Sequence, residues 1–438
     1  MSTAGTSTDT LDRPPGPEPE VRDPAERRRR TKAIVVLALV LALLIYFALD
    51  AKSPTVKYIL GERVSQEHPT HDLAAAPVAW TCVVLVAIAL GLAVAHQLRR
   101  QVVAVPAFIV AGLAFYVGFM IWEFRDQAGQ FQAAISNPLP GTVAIATPLI
   151  LGALAGVMCE RAGVINIAIE GQFLAGAFLA SVAASFIFDA FSGLVAAIVG
   201  GMLIGALLAL FSIRYQVNQV VVGVVLVAFA AGITAFLTNQ IPEGGKWKEY
   251  LNQPPILDKI AIPGLSKIPL VGDAFFTQTV LVYLMYAAIV LVPVVLYQTR
   301  WGLRVRSVGE HPKAADTVGI KVNRVRWQAV LIGSGLAGLG GAYFTVGSSG
   351  SFTADISSGQ GFIALAAVIM GRWHPVGATL AATFFGFMWN LQNQVGLVGK
   401  VPPEFLGAAP YIATIIAVAG FVGRVRPPAA DGEPYVKG

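Results

Sequence analysis

Charge is what this 438-residue chain has least of: 13% of its residues are Asp, Glu, Lys or Arg, against 55% hydrophobic. Soluble domains carry about 25% charged residues, so a water-facing surface over the whole fold is excluded. Cysteine is close to absent, with Cys82 and Cys159 alone. The expected topology puts those two towards opposite faces and neither has metal-ligand neighbours, which excludes a disulfide framework and a Cys-built metal site. No Gly-x-x-x-x-Gly-Lys-Ser/Thr phosphate loop occurs, so ATP binding of that kind has no home here.

What is present in quantity is apolar sequence, in windows long enough to cross a bilayer, for which about 17 to 25 residues are needed. The pattern predicts spans near 33–49, 74–95, 102–122, 141–159, 163–187, 193–213, 217–238, 279–298, 327–346, 374–394 and 406–423. A shorter apolar piece, 361–371, is expected to be re-entrant or a half-helix. The fold class is thus an all-α polytopic membrane protein of about 11–12 transmembrane segments. Four divisions are expected: a disordered tail 1–32, an extension 33–137 with about three helices, a core 138–424, and a tail 425–438.

Lys and Arg set the orientation. Arg27-Arg28-Arg29-Arg30 precedes the first span, and alternate loops carry Arg99-Arg100, Arg214, Arg424 and Arg426. The loop 299–326 alone holds seven cations, among them Arg300, Arg304, Arg306 and Arg324. The positive-inside rule puts all of these, and both termini, in the cytoplasm. The formal net charge of +6 is a topology signal and not a nucleic-acid patch. The first span is longer than a signal-peptide core and ends in Leu49-Asp50-Ala51-Lys52, a poor cleavage site, so an uncleaved anchor is expected.

Polar groups inside apolar runs are costly and face cavities or other helices. Asn166, Glu170 and Gln172 are such groups, and Gly359-Gln360-Gly361 echoes the Gly171-Gln172 pair at the head of a second apolar helix. An internal inverted repeat around a shared pathway would produce this echo. Asn218 and Gln219 stand at another helix entry. The competing reading is that Glu170 and Gln172 tie helices together by hydrogen bonds.

Two motif matches lose to plainer readings. Gly333-Ser-Gly335-Leu-Ala-Gly338 spells a dinucleotide fingerprint, but no strand precedes it, and small residues in a membrane helix serve close packing. Gly347-Ser348-Ser349-Gly350 resembles a serine-protease nucleophile, with His374 as the available base. The expected topology parts them by most of a bilayer, roughly 20 to 30 Å. In loop 299–326, Pro312 suits a helix start and Gly319 its cap, with Ala314 and Ala315 on the surface between. Such a helix could dock into a partner, or could be an ordinary basic loop.

Glu160-Arg-Ala-Gly-Val-Ile-Asn-Ile-Ala-Ile-Glu-Gly-Gln172, followed by Val308-Gly-Glu-His-Pro-Lys-Ala-Ala-Asp-Thr-Val-Gly-Ile320, resembles the permease subunits of bacterial ABC importers. The likeness is to the ribose and branched-chain amino acid permease superfamily, nearest to nucleoside and simple-sugar permeases that work beside lipoprotein receptors. Val401-Pro-Pro-Glu-Phe405 fits that group too, and the resemblance covers roughly 138–424. It implies an importer of nucleosides or simple sugars in a bacterial plasma membrane, not an enzyme. ATP and Mg would sit on partner ATPase subunits, with no cofactor on this chain. Gly309, Glu310, Pro312, Ala314, Ala315 and Gly319 would form the ATPase coupling element. A second permease paralogue and an extracellular substrate-binding lipoprotein are implied as further partners. The substrate pathway is expected to use Asn166, Glu170, Gln172, Asn218, Gln219 and Gln360. An independent secondary transporter is the alternative that the polar groups alone would also allow.

Overall fold

The computed structural model describes residues 24–51, 55–59, 70–95, 101–124, 135, 137–241, 250–395, 402–416 and 426–436. Of the tail expected to be disordered over 1–32, residues 1–23 lie outside these residues, whereas 24–32 form the first turns of a helix that runs on into the first apolar span. The chain divides into two compact units, Met1–Lys57 with Asp72–Ile135, and Tyr58–His71 with Ser136–Gly438. Among the described residues nine helices are long and apolar enough to cross a membrane, and the protein is a multi-pass, mostly helical membrane protein with two short two-stranded sheets between its helices.

The first unit holds α1 (Pro24–Asp50), α2 (Ala75–Val94) and α3 (Gln101–Glu123). Phe47, Phe119 and Trp122 pack where α1 meets α3, the rings of Phe47 and Trp122 stacking at 4.9 Å. Trp122 Nε1 donates to Asp50 Oδ2 at 3.0 Å. Leu39, Val84, Ile109 and Leu113 are exposed, as hydrocarbon-facing side chains are.

The second unit comprises α4 (Pro138–Glu160), α5 (Ile169–Ile187), α6 (Ala190–Ala209), α7 (Gln219–Asn239), a short α8 (Gly272–Phe276) and α9 (Val280–Gln298). After these come α10 (Arg300–Glu310), α11 (Pro312–Thr317), α12 (Val322–Gly341), α13 (Gln360–Met370), α14 (Pro375–Val395) and α15 (Pro403–Ile416). The buried α4 is the hub, packed by α12, α13 and α14. Its first turn begins with Pro138 at N1 and is capped by the Asn137 side chain, which accepts from Leu139 N at 3.1 Å. Asn390 Nδ2 on α14 donates to the Pro138 carbonyl at 2.8 Å.

Glycine sets the closest approaches. A Cβ at Gly201 or Gly338 would collide with the facing helix's backbone, Ser334 in one case and Ala197 in the other. Gly176 on α5 abuts Gly338 in the same way. The Gly333–Gly338 string therefore packs α5, α6 and α12 together, as the small-residue reading expects. Cys82 and Cys159 are buried, unpaired thiols.

Several boundaries differ from the sequence expectation. The span expected at 163–187 starts at Ile169, because α4 ends at Glu160 and residues 161–168 run as turns and extended backbone. Gly163 takes φ +82 and closes that turn. The span expected at 327–346 is α12 continued by a 3₁₀ turn and a π turn to Ser349. The span expected at 406–423 is described only to Ile416. α13 is a half-helix of 11 residues.

Candidate functional site

Two helices of the second unit begin part-way along the buried α4 and not level with its ends. α13 runs down from Gln360 to the loop holding Trp373, beside Glu160 at the end of α4 that faces loop 299–326, called here the basic end. Eleven residues at 1.5 Å each put Gln360 about 16 Å from that end, roughly half the hydrocarbon thickness. Side-chain packing agrees: Gly156 of α4 meets Val368, and Gly152, one turn deeper, meets Ala364. α5 starts beside it, since Glu170 in its first turn bonds Gly359 N and Gly361 N.

Glu170 joins the two starts. Its carboxylate, 3% exposed, accepts from Ser357 Oγ at 2.6 Å, Gly359 N at 2.8 Å and Gly361 N at 2.5 Å. It lies in the first turn of α5 and caps the first turn of α13, so one negative charge sits at the positive ends of both helix dipoles. A Cβ on Gly361 would strike the Glu170 backbone, which is why glycine stands there.

Asn166 and Gln172 form a reciprocal amide pair. Asn166 Nδ2 donates to Gln172 Oε1 at 3.1 Å, and Gln172 Nε2 returns a bond to Asn166 Oδ1 at 3.0 Å. Gln172 Nε2 also donates to Ser334 Oγ of α12 at 3.0 Å. Both residues have no exposed surface. Gln219 Oε1 accepts from Ile165 N at 2.8 Å, fastening α7 to the 161–168 segment. Asn218 is exposed and caps α7, accepting from Val220 N and Val221 N. Gln360 Oε1 is buried and meets no hydrogen-bond donor among the described residues. The structure thus brings Asn166, Glu170, Gln172 and Gln219 into one framework around the 161–172 turn. It leaves Asn218 apart, as a cap on α7.

Loop 299–326 is two helices rather than one. α10 ends at Glu310, His311 breaks the run at φ −143, and Pro312 occupies N1 of α11. Ala314 is exposed, but Ala315 and Gly309 are buried, contrary to the expectation that both alanines lie on the surface. Ala315 turns inward because its helix is only six residues long and packs one face on the core. Gly309 is buried because its backbone lies against Arg161, where a Cβ would strike the Arg161 carbonyl. Glu310, Lys313, Ala314, Thr317, Val318 and Gly319 remain exposed. A cavity of about 510 Å³ opens beside them, lined by Trp301, Arg304, Ile320, Lys321, Arg324 and Gln328 among others.

The C-terminal tail, expected only as an appendage, is a strap across this region. Ala430 N donates to Gly309 O at 2.9 Å, Ala429 N to Glu310 Oε2 at 3.2 Å, and Arg326 Nη1 to Glu433 O at 2.7 Å. Tyr435 is buried against the core. Asp431 faces Glu160, Arg326 and Arg161, and burial, helped by Glu160, pushes its carboxyl up to about 8. Trp373 Nε1 donates to Glu160 Oε2, Arg161 Nε donates to Trp373 O at 2.7 Å, and Arg161 lies 3.8 Å from Glu310. His374 stacks on Tyr297 at 5.2 Å, and burial holds its pKa below the usual histidine value. Ser349 Oγ, in the π turn that continues α12, has the local acceptors Phe344 O and Ser351 O for its one hydrogen, an arrangement that does not form a nucleophile–base pair.

The family described as "Branched-chain amino acid transport system / permease component" matches residues 138–419. The "Guanosine ABC transporter permease protein NupQ" of Bacillus subtilis (strain 168) is 40% identical over 319 residues, 69% of this chain and 98% of that protein. The "Nucleoside ABC transporter permease protein NupC" of Lactococcus lactis subsp. cremoris is 39% identical over 301 residues, 66% of this chain and 94% of its own length. The "Glucose ABC transporter permease protein TsgB13" of Haloferax volcanii is 31% identical over 270 residues, 59% of this chain and 70% of that one. The same Bacillus and Lactococcus strains each hold a second permease that matches, NupP at 26% and NupB at 23% identity. The family match begins at Pro138, the first residue of α4, near the start of the Ser136–Gly438 stretch of the second compact unit. This chain belongs to the branched-chain amino acid transport system / permease component family.

Proposed function

We propose that this protein is the membrane-spanning permease of an ATP-driven importer of nucleosides, paired with a second, paralogous permease. The observation that carries it is the identity of about 40% to a guanosine and a nucleoside permease over nearly the whole of each. ATP and Mg belong to separate ATPase subunits, and a substrate-binding lipoprotein delivers cargo at the outer face. The basic end is cytoplasmic by the positive-inside rule, and both termini with it.

The geometry supplies a route from ATPase to cargo. The ATPase docks on the exposed residues of α10 and α11, Glu310, Ala314 and Gly319 among them. Movement there reaches the 161–168 turn through the backbone contact of Gly309 on Arg161 and the Arg161–Glu310 pair. That turn carries Asn166 and leads into α5, whose Glu170 holds the start of α13. Rotation of α5 therefore moves the mid-membrane segment before Gln360, which opens the pathway to one side or the other. Asn166, Glu170, Gln172 and Gln219 frame that pathway, and Gln360 opens the half-helix at its inner end.

Simple sugars are a second reading, favoured by the likeness to a glucose permease. Ala314→Arg tests the coupling. Placed on the exposed face of α11, it should leave the permease folded and abolish uptake and cargo-stimulated ATP hydrolysis in the assembled complex. Uptake at the wild-type rate would rule out docking at this face.

A further inference from the structure

Asn166, Glu170, Gln172 and Gln219, expected to meet cargo, spend their hydrogen bonds within the protein. Between Phe352 and Gln360 the chain descends from the outer end of α12 to mid-membrane without helix or strand. Phe352 N bonds Asn252 Oδ1 at 2.7 Å, and Asn252 Oδ1 also accepts from Ser181, three turns along α5 from Glu170. Ser357 reaches Glu170. The six residues Thr353–Ser358 thus cover the upper half of the bilayer depth. Thr353, Ala354, Asp355 and Ser358 are exposed, while Ser357 points inward.

Irregular backbone at this depth survives only where protein buries it or water reaches it, never against lipid. Asp355 makes the choice sharper, because its carboxylate is exposed and meets no cation among the described residues. A charge at membrane depth without a partner needs water. The backbone is also held in costly conformations: Asp355 at φ 58 and Ser358 at φ 47, both left-handed. Ser358 N to Asp355 O at 3.0 Å and Gln360 N to Ser357 O at 2.9 Å fix the turn. Strain of this sort in non-glycine residues persists where the surrounding structure imposes it, often at binding sites.

We propose that Thr353–Ser358 lines the water-filled cargo pathway, and that the Asp355 carboxylate accepts hydrogen bonds from the hydroxyls of a neutral, sugar-bearing cargo. The proposal rests on the permease reading above and extends it to the residues that touch cargo. A carboxylate is an acceptor with two oxygens, suited to a vicinal diol. Thr353 and Ser358, both exposed, add hydroxyls that donate or accept. Contacts so few and so exposed bind weakly, as transit demands.

Thiol accessibility in the complete transporter tests the lining. Cys82 and Cys159 are buried, so the wild-type permease is the blank. Asp355→Cys and Ser358→Cys should react with a charged, membrane-impermeant thiol reagent at least tenfold faster than Val225→Cys, an exposed apolar position on α7. Saturating guanosine or glucose, whichever the wild type imports, should slow the labelling. Reaction at Asp355→Cys no faster than at Val225→Cys would mean that a second permease or the bilayer seals the segment, and would overturn the proposal. For the contact itself, Asp355→Asn should raise the KM for that cargo roughly tenfold or more, since bonds to a charged group are the stronger kind. An unchanged KM would remove Asp355 from the contact. Labelling does not depend on which cargo is carried, so a wild type that imports no nucleoside defeats the cargo reading while leaving this test readable.

Discussion

Replacing Glu170 by Gln changes one atom and should cost more than most deletions in this protein. The carboxylate takes three donors on two oxygens: Ser357 and Gly359 on Oε1, Gly361 on Oε2. An amide offers one oxygen, and its NH₂ must face a donor on the other side. Turned one way it opposes Gly361 N; turned the other it opposes Ser357 and Gly359 N. Ser357 can rotate its hydroxyl away, but a backbone N–H cannot. At least one buried N–H is therefore left unpaired, at about 1 to 3 kcal/mol. Loss of the charge at two helix N-termini adds about 1 to 2 kcal/mol in a partly buried setting. The expected total is roughly 2 to 5 kcal/mol, measured as the change in unfolding free energy of the purified permease in mixed detergent micelles. Ser357→Ala, which removes one replaceable donor, should cost about 1 kcal/mol, and the double variant should cost less than the sum, because both act on one oxygen. A Glu170→Gln protein within 0.5 kcal/mol of wild type would refute the claim that this carboxylate holds α13 in place.

Other outcomes follow from the same framework. Gly338→Val puts a branched side chain into the backbone of Ala197 and Gly201, and should destabilise by about 3 kcal/mol or more, seen as loss of folded protein on expression. The strap should loosen as pH rises. Asp431 has a folded pKa near 8, well above its ordinary 3.8, so the folded state holds its proton more tightly. Its contribution is complete below about pH 4 and disappears as pH passes through 8. Hydrogen exchange over 426–436 should therefore quicken between pH 6 and 9 beyond the intrinsic chemical rate, and Asp431→Asn should flatten that excess; an unchanged profile would mean that Asp431 does not govern the strap.

How far the sequence could reveal this site depended on the range of the interactions. Spans were visible because hydropathy is local. The pairing of Glu170 with Gly361 was foreshadowed only by the two Gly-Gln pairs, since the contact joins residues 191 apart. The Asn166–Gln172 bond spans six positions, which no regular helix brings face to face. It exists because the helix stops at Glu160, a stop that Gly163 signalled and that the apolar run through 163–187 concealed. Ala315 looked exposed because the loop around it is basic, whereas a two-helix break at His311 turns it inward. The strap left no local trace, because Arg326 finds its acceptor 107 residues away in a segment that reads as an ordinary tail.

The central claim is that ATP hydrolysis on a partner drives nucleosides through this chain. The direct measurement is uptake of radiolabelled guanosine into vesicles holding this permease, its paralogue and the ATPase, with the receptor added outside and ATP enclosed. The account predicts accumulation that requires ATP and stops when the ATPase is inactivated. Accumulation that continues without any ATPase would contradict it and make the protein an independent secondary transporter.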